Sequence, residues 1–289
     1  MGERAEAVLR RGAVAWLDWR FNHPELPDLS TAELVGMNLR GADLHGSNLR
    51  RSNLANAKLV AANLHRANLS NSLLNGADLV DANLQELEII DGRAIGADFR
   101  RANLAQSNLM GSNFTDADLR DADLSSVTAS ATNFTNANLR RADLTQSVLH
   151  RSTLCYANLA ETNLAGADLS QAILFEAELG SAHLYLTKLT RARLTRSHLV
   201  SVYGVGANFD GADLTDADLS WAQLNKASFI GAILHNTNLR GANLTGANFA
   251  GADLSGANLS GANLRRANLH RVVLNNTTLD EALLTGVIY

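Results

Sequence analysis

From Leu34 to Leu284 every fifth residue is leucine or a near relative, in one unbroken phase. Of these 51 central positions, 48 hold Leu, Phe or Ile; the exceptions are Ala94, Ala129 and Gly204. A fixed short period predicts a stacked architecture, in which each unit buries its apolar face against its neighbours. The stretch 251–259, Gly-Ala-Asp-Leu-Ser-Gly-Ala-Asn-Leu, shows the unit most clearly: small, polar, large, then two further residues. In an extended triplet alternate side chains share a face, so the central residue and the small residue two before it point inward. The residue between them points outward. The two that follow are often Gly, Asn, Asp, Ser or Arg, which suits a corner. Each quintet therefore reads as a short strand and a bend. The outward position is Asp or Asn in 30 of the 51 units. Those side chains are expected to hydrogen-bond backbone at the bends, an abundance that needs no further function.

Residues 3–21 follow a different rhythm. Ala5, Val8, Leu9, Ala13, Trp16, Leu17 and Phe21 fall near helical spacing, with Arg10, Arg11, Asp18 and Arg20 between them. Pro24 and Pro27, the only prolines, stand where such a helix must stop. The spacing predicts one helix over 3–21 within an N-terminal cap, residues 1–27, that covers one end of a repeat array spanning 28–289. An open end would expose apolar core and unpaired strand edges.

The tandem A-[DN]-L-x-x pattern resembles the pentapeptide-repeat family over about nine-tenths of the chain. That resemblance implies an all-β solenoid, a right-handed quadrilateral parallel β-helix with four quintets per coil and about 13 coils. Trp16-Leu-Asp-Trp19-Arg, followed by Pro24 and Pro27-Asp28-Leu29, also resembles the capping leader of some bacterial members. Some relatives that act on DNA topoisomerase carry projecting loops and often use Phe and Cys heavily. Here the phase never slips, and Leu dominates.

Three quintets break the size rule. Leu87 stands where a small residue belongs, and Gly92 and Ala94 follow where a larger pair belongs. Val127-Thr-Ala129 and Val202-Tyr-Gly204 swap large and small. Volume compensation explains these irregularities, since a larger inward residue offsets a smaller centre; a bulge serving a binding site is the other reading.

Composition narrows the field. Net charge is −4 with a pI near 6.1, so no general basic field for direct nucleic-acid binding is present. A lone Cys155 excludes an internal disulfide. No stretch is long and apolar enough for a membrane helix, and the first residues lack a secretory apolar core, so a soluble cytoplasmic protein is expected.

Surface candidates follow from a 20-residue coil. Arg100, Arg120 and Arg140 form a ladder interleaved with Asp98, Asp118 and Asp121, read either as a grip on an acidic partner or as a solvated, self-paired face. His183 stacks on Tyr203 and Tyr185 on Val205, with Leu186 beside them. Exposed aromatics of this kind concentrate at protein interfaces, or else they shield the irregular Gly204 coil. His45 and His65 stack too, but a zinc site needs further ligands that nothing supplies. Asp210, Asp213, Asp216 and Asp218 make the most acidic stretch and read as repeat filler. Leu283, Leu284, Val287, Ile288 and Tyr289 offer contacts for end-to-end pairing of two copies, or for local capping. No Ser-His-Asp motif or phosphate-cradling glycine loop is present, so no catalysis, cofactor or metal is expected. The combined reading is a non-enzymatic scaffold that binds another protein through its faces. The alternatives are a DNA-mimicking effector of DNA gyrase or topoisomerase, and a passive spacer.

Overall fold

A computed structural model describes residues 5–23 and 25–289. Residues 3 and 4 of the expected helix, and Pro24 beyond it, lie outside the described residues. The chain forms two compact units, one ending at Asp143 and one running from Leu144 to Tyr289.

The first unit opens with two helices rather than one, α1 (Ala5–Leu9) and α2 (Ala13–Asn22). Gly12 separates them with φ near +102°, a backbone state outside the helix that glycine adopts without steric cost. Helical spacing does not register such a break, because the apolar phase continues across it. Val8, Leu9 and Trp16 are buried. Trp16 Nε1–H donates to the Asp43 carbonyl at 2.6 Å, and Arg10 donates to the Glu33 carbonyl at 2.5 Å. These bonds tie the helices to the first repeats.

After the helices, both units repeat one local structure. Parallel bridges join each outward residue to the one 20 positions on, from Asp28↔Asn48 to Asp123↔Asp143 in the first unit and from Val148↔Asp168 to Asn268↔Ile288 in the second. Four quintets therefore make one coil. The expected short strands shrink to single paired residues. A turn every five residues leaves only an extended triplet, and its ladder bonds centre on the middle residue.

The turn has one form at nearly every corner, the one before Gly92 being the exception. The amide after the corner returns to the central carbonyl, as in Ala67 N–H to Leu64 O at 2.9 Å. The second corner residue has positive φ at all 52 positions from Thr31 to Gly286. That is the type II pattern, which ordinarily asks for glycine or asparagine. Yet 36 of the 52 are not glycine. Each such residue costs on the order of 1 kcal/mol or more, and persists because the surrounding ladder over-determines it.

Every amide of a typical quintet is satisfied. In 64–68, Leu64 donates to Asn83 O, Arg66 to Gln85 O, Ala67 to Leu64 O and Asn68 to Ser47 O. The remaining amide, at His65, donates to the Asn63 side-chain oxygen at 3.3 Å. In the second unit Asp210 N–H finds the Asn208 side chain in the same way, at 2.8 Å. The expectation for the outward Asp and Asn is met: they complete the backbone account at the corner. Where the outward residue cannot serve, a neighbouring coil substitutes, as Asn75 Oδ1 does for the amide of Ile95 at 3.1 Å.

Central and small inward residues are buried in both units up to Leu269; in the last coil Leu274 and Leu279 are half-buried and Leu284 is exposed. Phenylalanines stack in register, with Phe209–Phe229 and Phe229–Phe249 centroids 4.8 and 4.7 Å apart and rings nearly parallel. The irregular quintets are as fully buried as the regular ones, which is the packing that volume compensation requires. Leu87, Val127 and Val202 are buried beside Ala94, Ala129 and Gly204. A Cβ on Gly92 would fall 2.5 Å from Ile89 Cγ1. The hydroxyl of Ser112 enters that turn, accepting from Gly92 N–H at 3.0 Å and donating to the Ile89 carbonyl.

Candidate protein-interaction surface

Because inward and outward residues alternate, the second unit must display whatever occupies its outward and corner positions. Around His183 and Tyr203 these are aromatic and aliphatic. The two residues bridge, and their rings stack at 5.1 Å with 20° between planes. Tyr185 and Val205 follow at the first corners, and Leu186 holds a second corner at φ +53°. Tyr185 is 55% exposed, Leu186 52% and Tyr203 49%. Leu186 leans on the next coil, where a Cβ on Gly206 would sit 2.9 Å from its Cδ2. Glycine there lets the leucine lie against the surface. The five residues thus form one contiguous patch over two adjacent coils, as their spacing predicts.

Shielding of a glycine defect does not account for the patch. The missing side chain of Gly204 points inward, since a Cβ there would meet Leu224 Cδ2 at 2.8 Å and Leu184 Cβ at 3.6 Å. Tyr203 points the other way.

The arginine ladder lies in the first unit and is interwoven with carboxylates. Arg100 pairs with Asp98 at 2.6 Å and approaches Asp118 at 3.7 Å; Arg120 pairs with Asp118 at 2.5 Å. At the neighbouring corner Arg101 pairs with Asp81 and Arg141 with Asp121, each at 2.7 Å. Arg140 follows in register, its amide held by Asn138. The hydrogen bond from Arg101 holds the Asp81 carboxyl below its usual range. For Asp118, burial alone would raise the pKa, but hydrogen bonds from Arg120 and the charges of Arg120 and Arg100 outweigh it and lower it. Opposite charges alternate along this face rather than forming a field of one sign.

The remaining polar candidates are occupied locally. His45 and His65 stack at 5.3 Å, and each ring Nδ1 donates to a carbonyl on the next coil, His65 O at 2.9 Å and Gln85 O at 3.0 Å. Among the described residues no group of three or more His, Cys, Asp or Glu is placed to hold a metal. Asp210 accepts from Ile230 N–H, Asp213 from Thr215, Asp216 from Asn236 and Asp218 from Ser220. Leu283, Leu284, Ile288 and Tyr289 are exposed and Val287 half-buried. Among the described residues no helix is long and apolar enough to cross a membrane. Reasoning from spacing passed over Tyr156 and Trp221, two exposed aromatics at second corners. The available signal was an aromatic ring at a position that this repeat usually gives to glycine or a polar residue.

A family model described as pentapeptide repeats matches the chain in eight copies, over residues 28–66, 62–92, 95–128, 132–171, 156–191, 187–229, 222–261 and 247–286. Among solved structures the chain is similar to HetL, a pentapeptide repeat protein involved in heterocyst differentiation regulation from the cyanobacterium Nostoc sp. strain PCC 7120. The two are 37% identical, with 71% of this chain and 88% of that chain covered and a TM-score of 0.36. It is also similar to full-length QnrB1, a plasmid-mediated fluoroquinolone resistance protein, at 19% identity over 57% of this chain and 90% of that one, with a TM-score of 0.49. No curated protein matches the chain.

Proposed function

Since the chain belongs to the pentapeptide-repeat family, we propose that it is a non-enzymatic cytoplasmic scaffold, a right-handed quadrilateral β-helix that binds another protein through the patch around Tyr185 and Tyr203. The observation that carries this reading is the contiguous exposure of His183, Tyr185, Leu186, Tyr203 and Val205 on a backbone held by ladder bonds to the coils on either side. Aromatic side chains supply large contact area for little conformational entropy, and they are enriched where interfaces concentrate energy. A surface held by a ladder loses little freedom on binding, which lowers the ordering cost of association. The regular core has no use for these five side chains, because the central and small inward positions fill it.

The main rival is mimicry of DNA toward gyrase or another topoisomerase. Mimicry needs a continuous acidic face, and the alternation of Asp81, Arg101, Asp121 and Arg141 supports the adaptor reading instead. Self-association through Leu283, Leu284, Val287, Ile288 and Tyr289 is a separate property, read by sedimentation of the purified chain. The test of the main proposal is affinity capture with three forms of the protein. A partner retained by wild type and by Arg100→Ala/Arg120→Ala, but lost from Tyr185→Ser/Tyr203→Ser, supports the patch. Loss on the arginine variant with retention on the tyrosine variant overturns it. Specific retention of a topoisomerase subunit by both variants favours the rival.

A further inference from the structure

Trp221 holds a second corner at φ +61° and is 57% exposed. The ladder imposes that left-handed state at every second corner, so it is the exposure of a large aromatic ring there, not its φ, that sets the position apart. One coil on in the same column stands Gly241, where a Cβ would overlap the Trp221 ring at Cε3 and Cζ3. Next comes Gly261, with open space where its side chain would be, and then Glu281. Glycine at two successive corners thus seats the indole and leaves a clear floor beyond it. Arg240 and Asp280 stand at the adjacent corners. Together these residues line an open groove of about 400 Å³. Among the described residues, Arg240, Asp280 and Glu281 make no ion pair, whereas Arg100, Arg101 and Arg120 in the first unit do.

The lining selects against simple charges. An anion over the glycine floor meets Asp280 and Glu281, and a cation meets Arg240. What suits all of them is a neutral ligand rich in hydroxyl groups. Carboxylates and a guanidinium each offer two atoms to a pair of hydroxyls, and an aromatic ring packs the C–H face of a sugar. Paired backbones lie about 4.8 Å apart, so the column from residue 221 to residue 281 spans roughly 14 Å. That length accepts a short run of pyranose rings lying along it. We infer that this groove binds a neutral oligosaccharide, with Trp221 as its stacking platform.

The test titrates the full-length protein with cellohexaose, chitohexaose, maltohexaose and laminarihexaose. Indole fluorescence and the amide resonances of Gly241 and Gly261 are followed. At least one hexasaccharide is expected to shift both signals with millimolar or tighter affinity. Trp221→Ala should weaken that binding by about tenfold or more, while Trp221→Phe keeps a ring and most of the affinity. Hydrogen-exchange protection of Leu224 and Leu244 confirms that both variants retain the coil. If no hexasaccharide moves either signal, or if Trp221→Ala binds as wild type does, the inference is wrong. Binding of spermine or triglutamate in place of the sugars overturns it equally, because the ligand would then be charged.

Discussion

The coil at Val202 and Gly204 allows the packing argument to be tested by reversal. In register on either side stand Ala182 with Leu184 and Ala222 with Leu224, the ordinary small–large pair. Val202 and Gly204 invert it, and all six residues are buried. Val202→Ala alone removes two methyl groups worth about 0.8 kcal/mol each and leaves a cavity, for a loss of about 2–3 kcal/mol. Gly204→Leu alone forces atoms where even a Cβ would lie 2.8 Å from Leu224 Cδ2. Overpacking of that kind costs about 1–3 kcal/mol. The double variant gives this coil the same pair as its neighbours, so the two losses should largely cancel, with a coupling of about 2 kcal/mol or more. Repeat arrays need not unfold as one cooperative unit, so the readout is native-state hydrogen exchange at Leu184 and Leu224, supported by urea denaturation. Both amides donate across coils, to Tyr203 O and Asn243 O at 2.8 Å. If the single losses simply add to within about 0.5 kcal/mol, volume compensation is refuted.

Other consequences are more local. Asn103→Ala should cost about 1–2 kcal/mol, because the nearly buried amide of Ala105 loses its acceptor; Asn103→Asp keeps that acceptor and should be close to neutral by thermal denaturation. Hydrogen bonds from Ser255 and His235 lower the Asp253 carboxyl to about 2. An unfolded Asp titrates near 3.9, so between these values the unfolded state binds the extra proton. The stability that Asp253 contributes is complete above about pH 4 and is lost as pH falls through about 2. Asp253→Asn should flatten that part of an acid-denaturation curve. Arg101→Ala and Arg141→Ala remove exposed pairs and should lower the melting temperature only slightly, by an amount that shrinks in high salt.

Much of the architecture is legible in the chain because the repeat is both short and strict. The five-residue phase separates inward from outward residues without reference to any distant contact. The Asp and Asn preference at the outward position likewise announces its use, since a short polar side chain there reaches the amide two residues on. Other features escape that reading for physical reasons. Gly12 sits between two apolar stretches in helical phase, so its positive φ leaves no mark on the spacing. Local propensity assigns glycine or asparagine to the second corner. It therefore gives no warning that Leu186, Tyr156 and Trp221 adopt the same left-handed state under the constraint of the ladder. The patch was readable from its 20-residue register, but its outward orientation relative to Gly204 required the backbone. The pairing of Arg101 with Asp81 depends on which rotamers span neighbouring coils, and spacing alone leaves that open. The groove beside Trp221 needed both glycines placed in one column before it could be seen.

The most direct test of the central claim places a photo-crosslinking amino acid at position 185 in one protein and at position 101 in another, in the native cytosol. The account predicts a discrete crosslinked partner from position 185, abolished by Tyr203→Ser, and no such product from position 101. A partner captured from position 101 and absent from position 185 would contradict it.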